Sequence, residues 1–339
     1  MTQVVYDRNM DTNHISHGVG GLARAIGFIA GLLILGLVFA VGLAIGAVTV
    51  LAGTMIEGPL IAEQYRDGDA NTIAVIPVEG IIDSYMAELV RLCVDEVMAD
   101  DSIRAVVLRV DSPGGSIAAS DQVWYQVGRL RDEGLPVVSS YGGLAASGGY
   151  YISCATDHIL AEPTCITGSI GVIAQTFILK DLLDKVGIQP ITLISSASPA
   201  KDLGNPFRAW TDEDHRRYAE LLDAAYVIFN QRVKDGRGHA ITDPSRIDEL
   251  ADGSIYTARE AHESGLIDGI GYLDDAIAEA ERRAGLSPGS ASVIVLREAV
   301  ALFDNLLVNT GIRSTLRDAE SIRSLVNELA APRLMYLMQ

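Results

Sequence analysis

Cysteine is scarce in this sequence: 339 residues contain only Cys93, Cys154 and Cys165. Three thiols cannot form a disulfide framework, and none shows the Cys-x-x-Cys spacing of a metal or redox site. Each lies in an apolar run, where a free cysteine behaves as a small buried hydrophobic residue. The sequence therefore predicts no disulfide-stabilised domain and no metal site, and no cofactor is expected.

Basic residues are also few, since 26 Lys and Arg stand against 44 Asp and Glu and give a formal net charge of −18. Residues 1–24 are neutral overall, so the excess negative charge falls on residues 57–339. Nucleic-acid binding depends on clustered Lys and Arg that neutralise phosphates. The charge balance excludes nucleic acid as an expected partner and argues against broad electrostatic contact with anionic lipid.

Charge is absent altogether from residues 25–56, a run of 32 residues. As a helix this run would be about 48 Å long, whereas crossing a bilayer core needs only about 20 apolar residues. A cleaved signal peptide is the alternative, but its apolar region is only about 7–15 residues long and follows a clearly basic start. A buried helix of a soluble domain is less favoured, because residues 26–48 are apolar on every face. The sequence predicts one transmembrane anchor.

The bases around the predicted anchor indicate its orientation. Arg8 and Arg24 precede it, and Arg66 is the first base that follows. An excess of Lys and Arg before the span favours a cytoplasmic tail over residues 1–24. We therefore expect a single-pass protein of the cell membrane with its catalytic domain on the extracytoplasmic side.

The remaining chain alternates strand-like and helical patterns. Residues 57–71 are polar and are expected to form a linker; residues 72–284 read as one α/β domain with a parallel sheet, and residues 285–339 as a C-terminal α/β appendage. The predicted strands cover residues 72–78, 105–110, 135–141, 191–195 and 293–296. The predicted helices cover residues 86–99, 117–130, 148–154, 212–235, 257–264 and 274–283, with two further amphipathic helices in the appendage.

Two glycine-rich turns each follow a predicted strand. Residues 111–116 read Asp-Ser-Pro-Gly-Gly-Ser, and residues 142–151 read Gly-Gly-Leu-Ala-Ala-Ser-Gly-Gly-Tyr-Tyr. Glycine lets backbone N–H groups approach a ligand oxygen, and sites form at strand ends in parallel α/β sheets. Ser147 begins a predicted helix, either as an ordinary N-cap or as a nucleophile whose oxyanion neighbouring N–H groups stabilise. The two turns together favour an acyl-transfer site.

A nucleophilic serine requires a base. No histidine of the domain lies in a glycine-rich or apolar turn, so we expect surface or structural roles for His158, His215, His239 and His262. Lys201, in a run of small residues between two prolines, is the alternative. It accepts a proton near neutral pH only if burial lowers its pKa from about 10.4 toward roughly 7–8. The simpler interpretation is a solvated lysine, and a catalytic Lys201 requires Asp202 to face elsewhere.

Several spaced motifs together resemble the signal peptide peptidase A family of membrane-bound peptidases with a Ser/Lys dyad. The resemblance covers residues 72–280 and becomes specific because the motifs occur in register. The motifs are Ser-Pro-Gly-Gly at 112–115, Ala-Ala-Ser-Gly-Gly-Tyr-Tyr-Ile at 145–152, Glu-Pro-Thr-Cys-Ile-Thr-Gly-Ser-Ile-Gly-Val at 162–172 and Lys-Asp-x-x-x-Pro at 201–206.

The resemblance implies a role for five residues. Ser147 is the nucleophile and Lys201 the general base, and the hydroxyl of Ser169 orients the lysine amine. The backbone N–H groups of Gly114 and Gly148 form the oxyanion hole. The family fold is similar to that of Clp protease and crotonase, a ββα superhelix with a parallel sheet. In short members the serine and lysine come from neighbouring protomers, which implies a homo-oligomeric ring or dome.

The expected function is therefore a membrane-anchored serine endopeptidase that degrades apolar peptides, notably remnant signal peptides after their release. One alternative is a crotonase-like acyl-CoA enzyme with the same oxyanion hole, although the acidic balance disfavours binding of CoA phosphates. Another is an inactive membrane scaffold of this fold, which the joint presence of Ser147, Ser169 and Lys201 disfavours.

Overall fold

A mixed sheet with helices against both faces carries the site. The computed structural model describes residues 60–298 and the backbone of residues 333–337. The predicted anchor at residues 25–56 and the predicted helices of the appendage lie outside the described residues. Among the residues that are described, no helix is long and apolar enough to cross a membrane.

The elements alternate along the chain. The strands are β1 (Leu60–Arg66), β2 (Thr72–Ile82), β3 (Ile103–Ser116), β4 (Val137–Ala146), β5 (His158–Ala161), β6 (Ile166–Gly168), β7 (Ile173–Gln175), β8 (Ile255–Thr257), β9 (Gly269–Ile270), β10 (Ser292–Glu298) and β11 (Arg333–Leu337). The helices are α1 (Ser84–Ala99), α2 (Ile117–Asp132), α3 (Gly148–Ser153), α4 (Lys180–Val186), α5 (Asp212–Arg237), α6 (Pro244–Leu250), α7 (Ala258–Glu263) and α8 (Leu273–Arg283). A 3₁₀ turn covers Pro199–Asp202.

The sheet order is β1–β10–β2–β3–β4–β5–β9, with β6 also beside β4 and β8 beside β6. The central pairs, from β10–β2 to β5–β9, are parallel, whereas β1–β10 and β6–β8 are antiparallel. Helices α1 and α2 are the crossovers between β2, β3 and β4. The α/β class and the largely parallel sheet predicted from the sequence are confirmed.

Alternation along the central strands divides the core between the two sheet faces. Ile76 and Leu108 pack in the larger cluster, which includes residues of α1 and α2. Val75 and Val107, their chain neighbours, pack in the smaller cluster with α8. Successive side chains of a strand point to opposite faces, so continuous apolar runs bury both sides of the sheet.

The expected linker contains a strand. Strand β1 pairs antiparallel with β10, from Leu60 opposite Glu298 to Arg66 opposite Val293, and β10 pairs in turn with β2. Most of β1 is exposed, and its sequence, Leu-Ile-Ala-Glu-Gln-Tyr-Arg, lacks the alternation of apolar and polar residues that is typical of a half-buried strand. The boundaries expected at residues 71 and 284 therefore do not separate the sheet from its neighbours, because strands on both sides of them complete it.

The strand predicted over residues 191–195 is absent from the structure. Ile191 and Leu193 are 84% and 90% exposed. A strand needs a neighbour for its backbone N–H and C=O groups, and no described strand pairs with this segment. We call residues 176–207 the arm; its helix α4 and its 3₁₀ turn contain no buried residue.

The C-terminal end of α5 is anchored by a buried ion pair. The guanidinium of Arg237, which is 1% exposed, donates to the Gly265 carbonyl and to both carboxylate oxygens of Asp268 at 2.8–3.0 Å. Asp268 also accepts the N–H of Ile159 at 2.8 Å. Burial alone would raise the pKa of Asp268, but the hydrogen bond and charge of Arg237 outweigh burial and bring it to about 2.

Candidate active site

Ser147 lies where β4 ends and α3 begins. Its N–H donates to the Gly168 carbonyl at 2.8 Å, and its carbonyl accepts the N–H of Tyr151 at 2.8 Å. The residue is fully buried. These contacts fix Ser147 between the ends of two sheet strands, β4 and β6.

The backbone of Ser147 has a strained conformation, with φ 52° and ψ −112°. Positive φ is uncommon for a residue with a side chain and costs on the order of 1–3 kcal/mol. Ser147 occupies the N-cap position of α3, yet its side chain makes no capping hydrogen bond. Its Oγ has no hydrogen-bond partner among the described residues. Capping therefore does not explain this serine, and its hydroxyl is available for another contact.

The two glycine-rich turns meet beside Ser147. A Cβ on Gly148 would lie 3.0 Å from the Gly114 Cα and 2.6 Å from the Ser120 Oγ, so only glycine fits. Gly114 has φ 105°, which glycine adopts readily. The first N–H groups of a helix have no partner within it, and Gly148 is the first residue of α3. Gly114 and Gly148, the residues expected to form the oxyanion hole, are thus brought together.

Two residues without a predicted role organise these turns. The hydroxyl of Ser112 accepts the Gly114 N–H at 3.0 Å, so this N–H is paired within the turn. The carboxylate of Asp111 accepts the Leu144 N–H at 3.2 Å and so joins the first turn to the second. Both residues lie in the Asp-Ser-Pro-Gly-Gly motif, whose polar side chains were the available signal.

Ser120 is a third polar residue near these turns that was not predicted from the sequence. It is fully buried in α2, and its Oγ has no hydrogen-bond partner among the described residues. A buried hydroxyl without a partner has a free-energy cost. A serine on the apolar face of a helix was the signal for it.

Ser169 is held next to Ser147 through Gly168. Ser169 and Ser147 are the non-glycine residues with positive φ in the described part of the chain. The Ser169 N–H donates to the Ser254 carbonyl at 2.7 Å. Gly168 has φ 83°, and a Cβ there would lie 2.5 Å from the Tyr256 ring, so this glycine permits the tight turn that connects the two serines.

Lys201 occupies a different environment. It lies in the exposed 3₁₀ turn of the arm, where its N–H donates to the Ser198 carbonyl at 3.1 Å. No ion pair or hydrogen bond of its amine occurs within the described residues of one chain. Because Ser147 Oγ is also without a partner there, a single copy does not bring the expected nucleophile and base into contact.

A catalytic Lys201 requires the carboxylate of Asp202 to face elsewhere, and in the structure it does. Its carboxylate accepts hydrogen bonds from Asn205, at 2.6 Å, and from Arg208, so it does not pair with the Lys201 amine. The hydrogen bond from Asn205 has the largest effect and the one from Arg208 the next largest, and both lower the pKa of Asp202. Arg208 also binds Asp214 at the start of α5, which ties the base of the arm to the body.

The histidines contact residues away from Ser147. His158 Nδ1 lies 3.0 Å from the Arg283 guanidinium, and burial lowers the pKa of this imidazole. His239 Nε2 lies 3.4 Å from Asp268. His215 stacks edge-on against Trp210. These contacts agree with the surface or structural roles expected for them.

Comparison with known proteins identifies the family. Residues 129–287 match peptidase family S49. A Synechocystis protein named as a protease is 32% identical over 254 residues, which cover 75% of this chain and 89% of the relative. The chain belongs to peptidase family S49. The S49 match includes Ser147, Ser169 and Lys201, and the resemblance to signal peptide peptidase A is confirmed.

Two further S49 relatives are longer proteins. The chloroplastic serine protease SPPA of Arabidopsis thaliana is 33% identical over 256 residues, which cover 75% of this chain and 36% of the relative. Protease 4 of Salmonella typhi is 36% identical over 187 residues, which cover 55% of this chain and 29% of the relative. This chain thus spans about a third of the length of these two relatives. Membership of a peptidase family agrees with the expected class, serine endopeptidase.

Proposed function

We propose that this chain is a membrane-anchored serine endopeptidase whose nucleophile is Ser147 and whose general base is Lys201. The observation that carries the proposal is the conformation of Ser147. A strained backbone holds a buried hydroxyl that caps nothing, at the point where Gly114 and Gly148 meet. Strain of this kind persists only where the surrounding structure imposes it, and it concentrates at functional sites.

The proposed reaction is acyl transfer to serine. The amine of a neutral Lys201, oriented by the Ser169 hydroxyl, accepts the proton as Ser147 Oγ attacks the scissile carbonyl. The N–H groups of Gly114 and Gly148 stabilise the resulting oxyanion, and Lys201 then protonates the leaving amine. Water then attacks the acyl-enzyme and gives a proton to Lys201. Lys201 returns that proton to Ser147 Oγ as the acid product leaves. Neutral lysine requires shelter from water, which the arm of a single copy does not provide.

A homo-oligomer supplies that shelter in our proposal. The arm exposes a set of apolar side chains that a monomer has no reason to keep in water. The more than half-exposed members are Phe177, Ile178, Leu182, Val186, Ile188, Ile191 and Leu193. Packing of the arm against a neighbouring protomer would bury these residues and carry Lys201 toward the neighbour's Ser147. A ring or dome of copies satisfies this requirement at every site.

The remaining parts of the proposal concern location and substrate. Residues 25–56 anchor the chain as a single span, and the catalytic domain lies on the extracytoplasmic side, in a fold of the Clp protease and crotonase type. The substrates are apolar peptides, notably remnant signal peptides, because an anchored protease meets them at the membrane. Both parts rest on the charge pattern and on the family resemblance.

Labelling with a serine-directed fluorophosphonate tests the nucleophile. We expect the wild-type chain to be labelled at Ser147, as located by mass spectrometry, and to cleave apolar peptides. Ser147→Ala should abolish labelling and lower kcat by about 10⁴-fold or more, since removal of a nucleophile leaves only the oxyanion hole and binding.

Ser153→Ala is a matched control, because Ser153 lies in the same short helix and its hydroxyl is bonded to the Gly149 carbonyl. This variant should keep its label. Labelling at a different serine, or near-wild-type cleavage by Ser147→Ala, would overturn the assignment.

A further inference from the structure

The two serines with positive φ are joined through one residue, Gly168. The Ser147 N–H donates to the Gly168 carbonyl, and Ser169 follows Gly168 in the chain. Ser147 has φ 52° and Ser169 has φ 51°. A side chain in this region of backbone conformation is strained, and the strain persists only where the surrounding structure imposes it. The contacts that fix Gly168 therefore determine the positions of both serines.

Gly168 ends β6, a strand that has a neighbour on each side. Strand β6 pairs parallel with β4, with Gly168 opposite Ala146, and antiparallel with β8, with Gly168 opposite Ile255. The hydroxyl of Thr167 also donates to the Ala145 carbonyl of β4 at 2.6 Å. Strand β4 thus fixes the strand that leads to Gly168, while the turn that follows it lies against β8.

Tyr256 of β8 supplies the side chain that confines this turn. A Cβ on Gly168 would lie 2.5 Å from Cδ2 and 3.1 Å from Cε2 of Tyr256, so one edge of the ring lies directly against the glycine. The Ser254 carbonyl would lie 3.0 Å from the same Cβ. This carbonyl also accepts the Ser169 N–H at 2.7 Å. The ring and the carbonyl together hold the peptide that connects Gly168 to Ser169.

The Tyr256 ring is held in turn by the body of the protein. Its hydroxyl donates to the carbonyl of Leu250, the last residue of α6, at 3.0 Å. The hydroxyl of Tyr226, on α5, donates to the neighbouring carbonyl of Ala251 at 2.7 Å. Leu250 and Ala251 are buried. Helices α5 and α6 therefore fix the segment that carries both Ser254 and Tyr256.

We propose that Tyr256 is a positioning residue that acts through Gly168. Its ring fixes the distance between the hydroxyls of Ser147 and Ser169. Proton transfer to Lys201 depends on that distance, because Ser169 orients the amine that must reach Ser147. This inference rests on the proposed function, which assigns the three roles. Removal of the ring leaves space beside Gly168 into which the strained turn relaxes, and a misplacement of about 1 Å costs on the order of 100-fold in rate.

The test compares variants of the full chain by peptide cleavage and by the rate of fluorophosphonate labelling. Tyr256→Ala should lower kcat and the labelling rate constant about 100-fold, with KM within about twofold of the wild-type value. Tyr256→Phe keeps the ring and loses only the hydrogen bond to Leu250, so it should restore both rates to near wild type. Tyr256→Leu keeps part of the contact and should show an intermediate loss; it replaces the alanine variant if that variant does not fold.

Ile277→Ala is the matched control for lost packing. Ile277 is fully buried on α8, in the smaller core cluster, which does not include Tyr256. This variant should lower Tm as Tyr256→Ala does, while kcat and the labelling rate stay near wild type. Two results would overturn the inference: a kcat near wild type in the variants that lack the ring, or equal losses of kcat in Tyr256→Ala and Ile277→Ala. The second would assign Tyr256 a purely structural role.

Hydrogen exchange distinguishes failure of this inference from failure of the proposed function, because it requires no activity. Tyr256→Ala should speed exchange of the Ser147 and Ser169 N–H groups at least about tenfold, as measured by mass spectrometry of the fragments that contain them, whereas Ile277→Ala should not. Unchanged exchange in Tyr256→Ala would contradict the inference. A chain that shows the expected exchange, but whose wild type is never labelled at Ser147, would contradict the proposed function and leave the ring as the element that fixes the turn.

Discussion

Ser147 and Lys201 belong to one proposed dyad but lie in opposite surroundings. Ser147 is fully buried at the junction of two strand ends, with its backbone fixed by hydrogen bonds to Gly168 and Tyr151. Lys201 lies on an exposed arm whose helix and turn bury nothing. The sheet thus encloses Ser147 within one chain, whereas Lys201 is exposed in one chain.

The largest expected effect tests whether the two environments are completed by two copies. Lys201→Ala should lower kcat by about 10²–10⁴-fold, the usual contribution of a general base. Mixed with Ser147→Ala, it should regain activity, because a hybrid assembly contains some sites with both intact residues. The measurement is peptide cleavage after subunit exchange. Absence of rescue, where exchange is demonstrated by differently labelled chains, would mean that each site is complete within one chain.

Replacement of Arg237 tests how strongly a buried ion pair stabilises the folded body of one chain, in contrast to its exposed arm. Arg237→Met should lower the free energy of unfolding by about 3–5 kcal/mol, since it leaves the carboxylate of Asp268 without its partner. Arg216→Met is the control, because Arg216 pairs with exposed glutamates on the surface of α5 and should contribute less than about 1 kcal/mol. Urea unfolding measures both. Equal losses would show that the buried pair is no stronger than a surface pair.

The difference in unfolding free energy between wild type and Arg237→Met should depend on pH, because the pKa of Asp268 differs between the folded and unfolded states. Its folded pKa of about 2 lies below the unfolded value near 3.9, so the pair stabilises the fold above about pH 4. This contribution is lost as the pH falls through about 2. The gap in unfolding free energy between wild type and Arg237→Met should therefore narrow between pH 4 and pH 2; a constant gap would contradict the assignment.

A methyl group at the junction of the two turns tests the nucleophile side directly. Gly148→Ala places a Cβ 2.6 Å from Ser120 Oγ and 3.0 Å from the Gly114 Cα, and should lower kcat about 100-fold by moving an oxyanion donor. Gly143→Ala, in the same glycine-rich segment, meets nothing within 4 Å and should retain activity. Ser120→Ala should restore part of the loss in Gly148→Ala, because it removes the nearest clashing atom. Similar activity in both alanine variants would exclude a tight junction.

The smallest expected effect concerns the arm. Ile191→Asp combined with Leu193→Asp should partly dissociate the assembly in sedimentation velocity and lower activity in proportion to the fraction of chains that dissociate. Tm should change little because both side chains are exposed in one chain. Tyr125→Asp, at a 60% exposed position on α2, is the control and should sediment as the wild type does. An assembly that survives the double substitution would show that the arm lies outside the interface.

Prediction from sequence succeeded where local pattern and burial agree. The central strands and the helices α1, α2 and α5 were predicted because their apolar spacing reflects the face that each packs against the sheet. The turns at 111–116 and 142–151 were recognisable because close backbone approach leaves glycine in the sequence. Strand β1 was missed because its exposed residues mix apolar Ile61, Ala62 and Tyr65 with Glu63 and Gln64, so the segment shows no apolar face. The strand predicted at 191–195 was wrong because an apolar composition does not show that a segment has a strand partner.

For the candidate site, too, the sequence identified residues in local motifs but not the contacts that depend on the fold. The motifs marked Ser147 and Ser169 as candidates, but no pattern shows that both have positive φ. Ser112 and Asp111 were visible in a motif, yet their contacts depend on β3 and β4 lying side by side. Pairing between distant segments is a property of the whole fold, and the sequence of one segment does not contain it.

The insertion of β10 between β1 and β2 has a consequence for biosynthesis. Ala62 lies opposite Leu296, so the outer strand has no partner until β10, more than 200 residues later, has been synthesised. Contacts between such distant positions form late, because closing so long a loop is entropically unfavourable. Until then the edge of β2 is unprotected, and the nascent protein is exposed to mispairing during that interval.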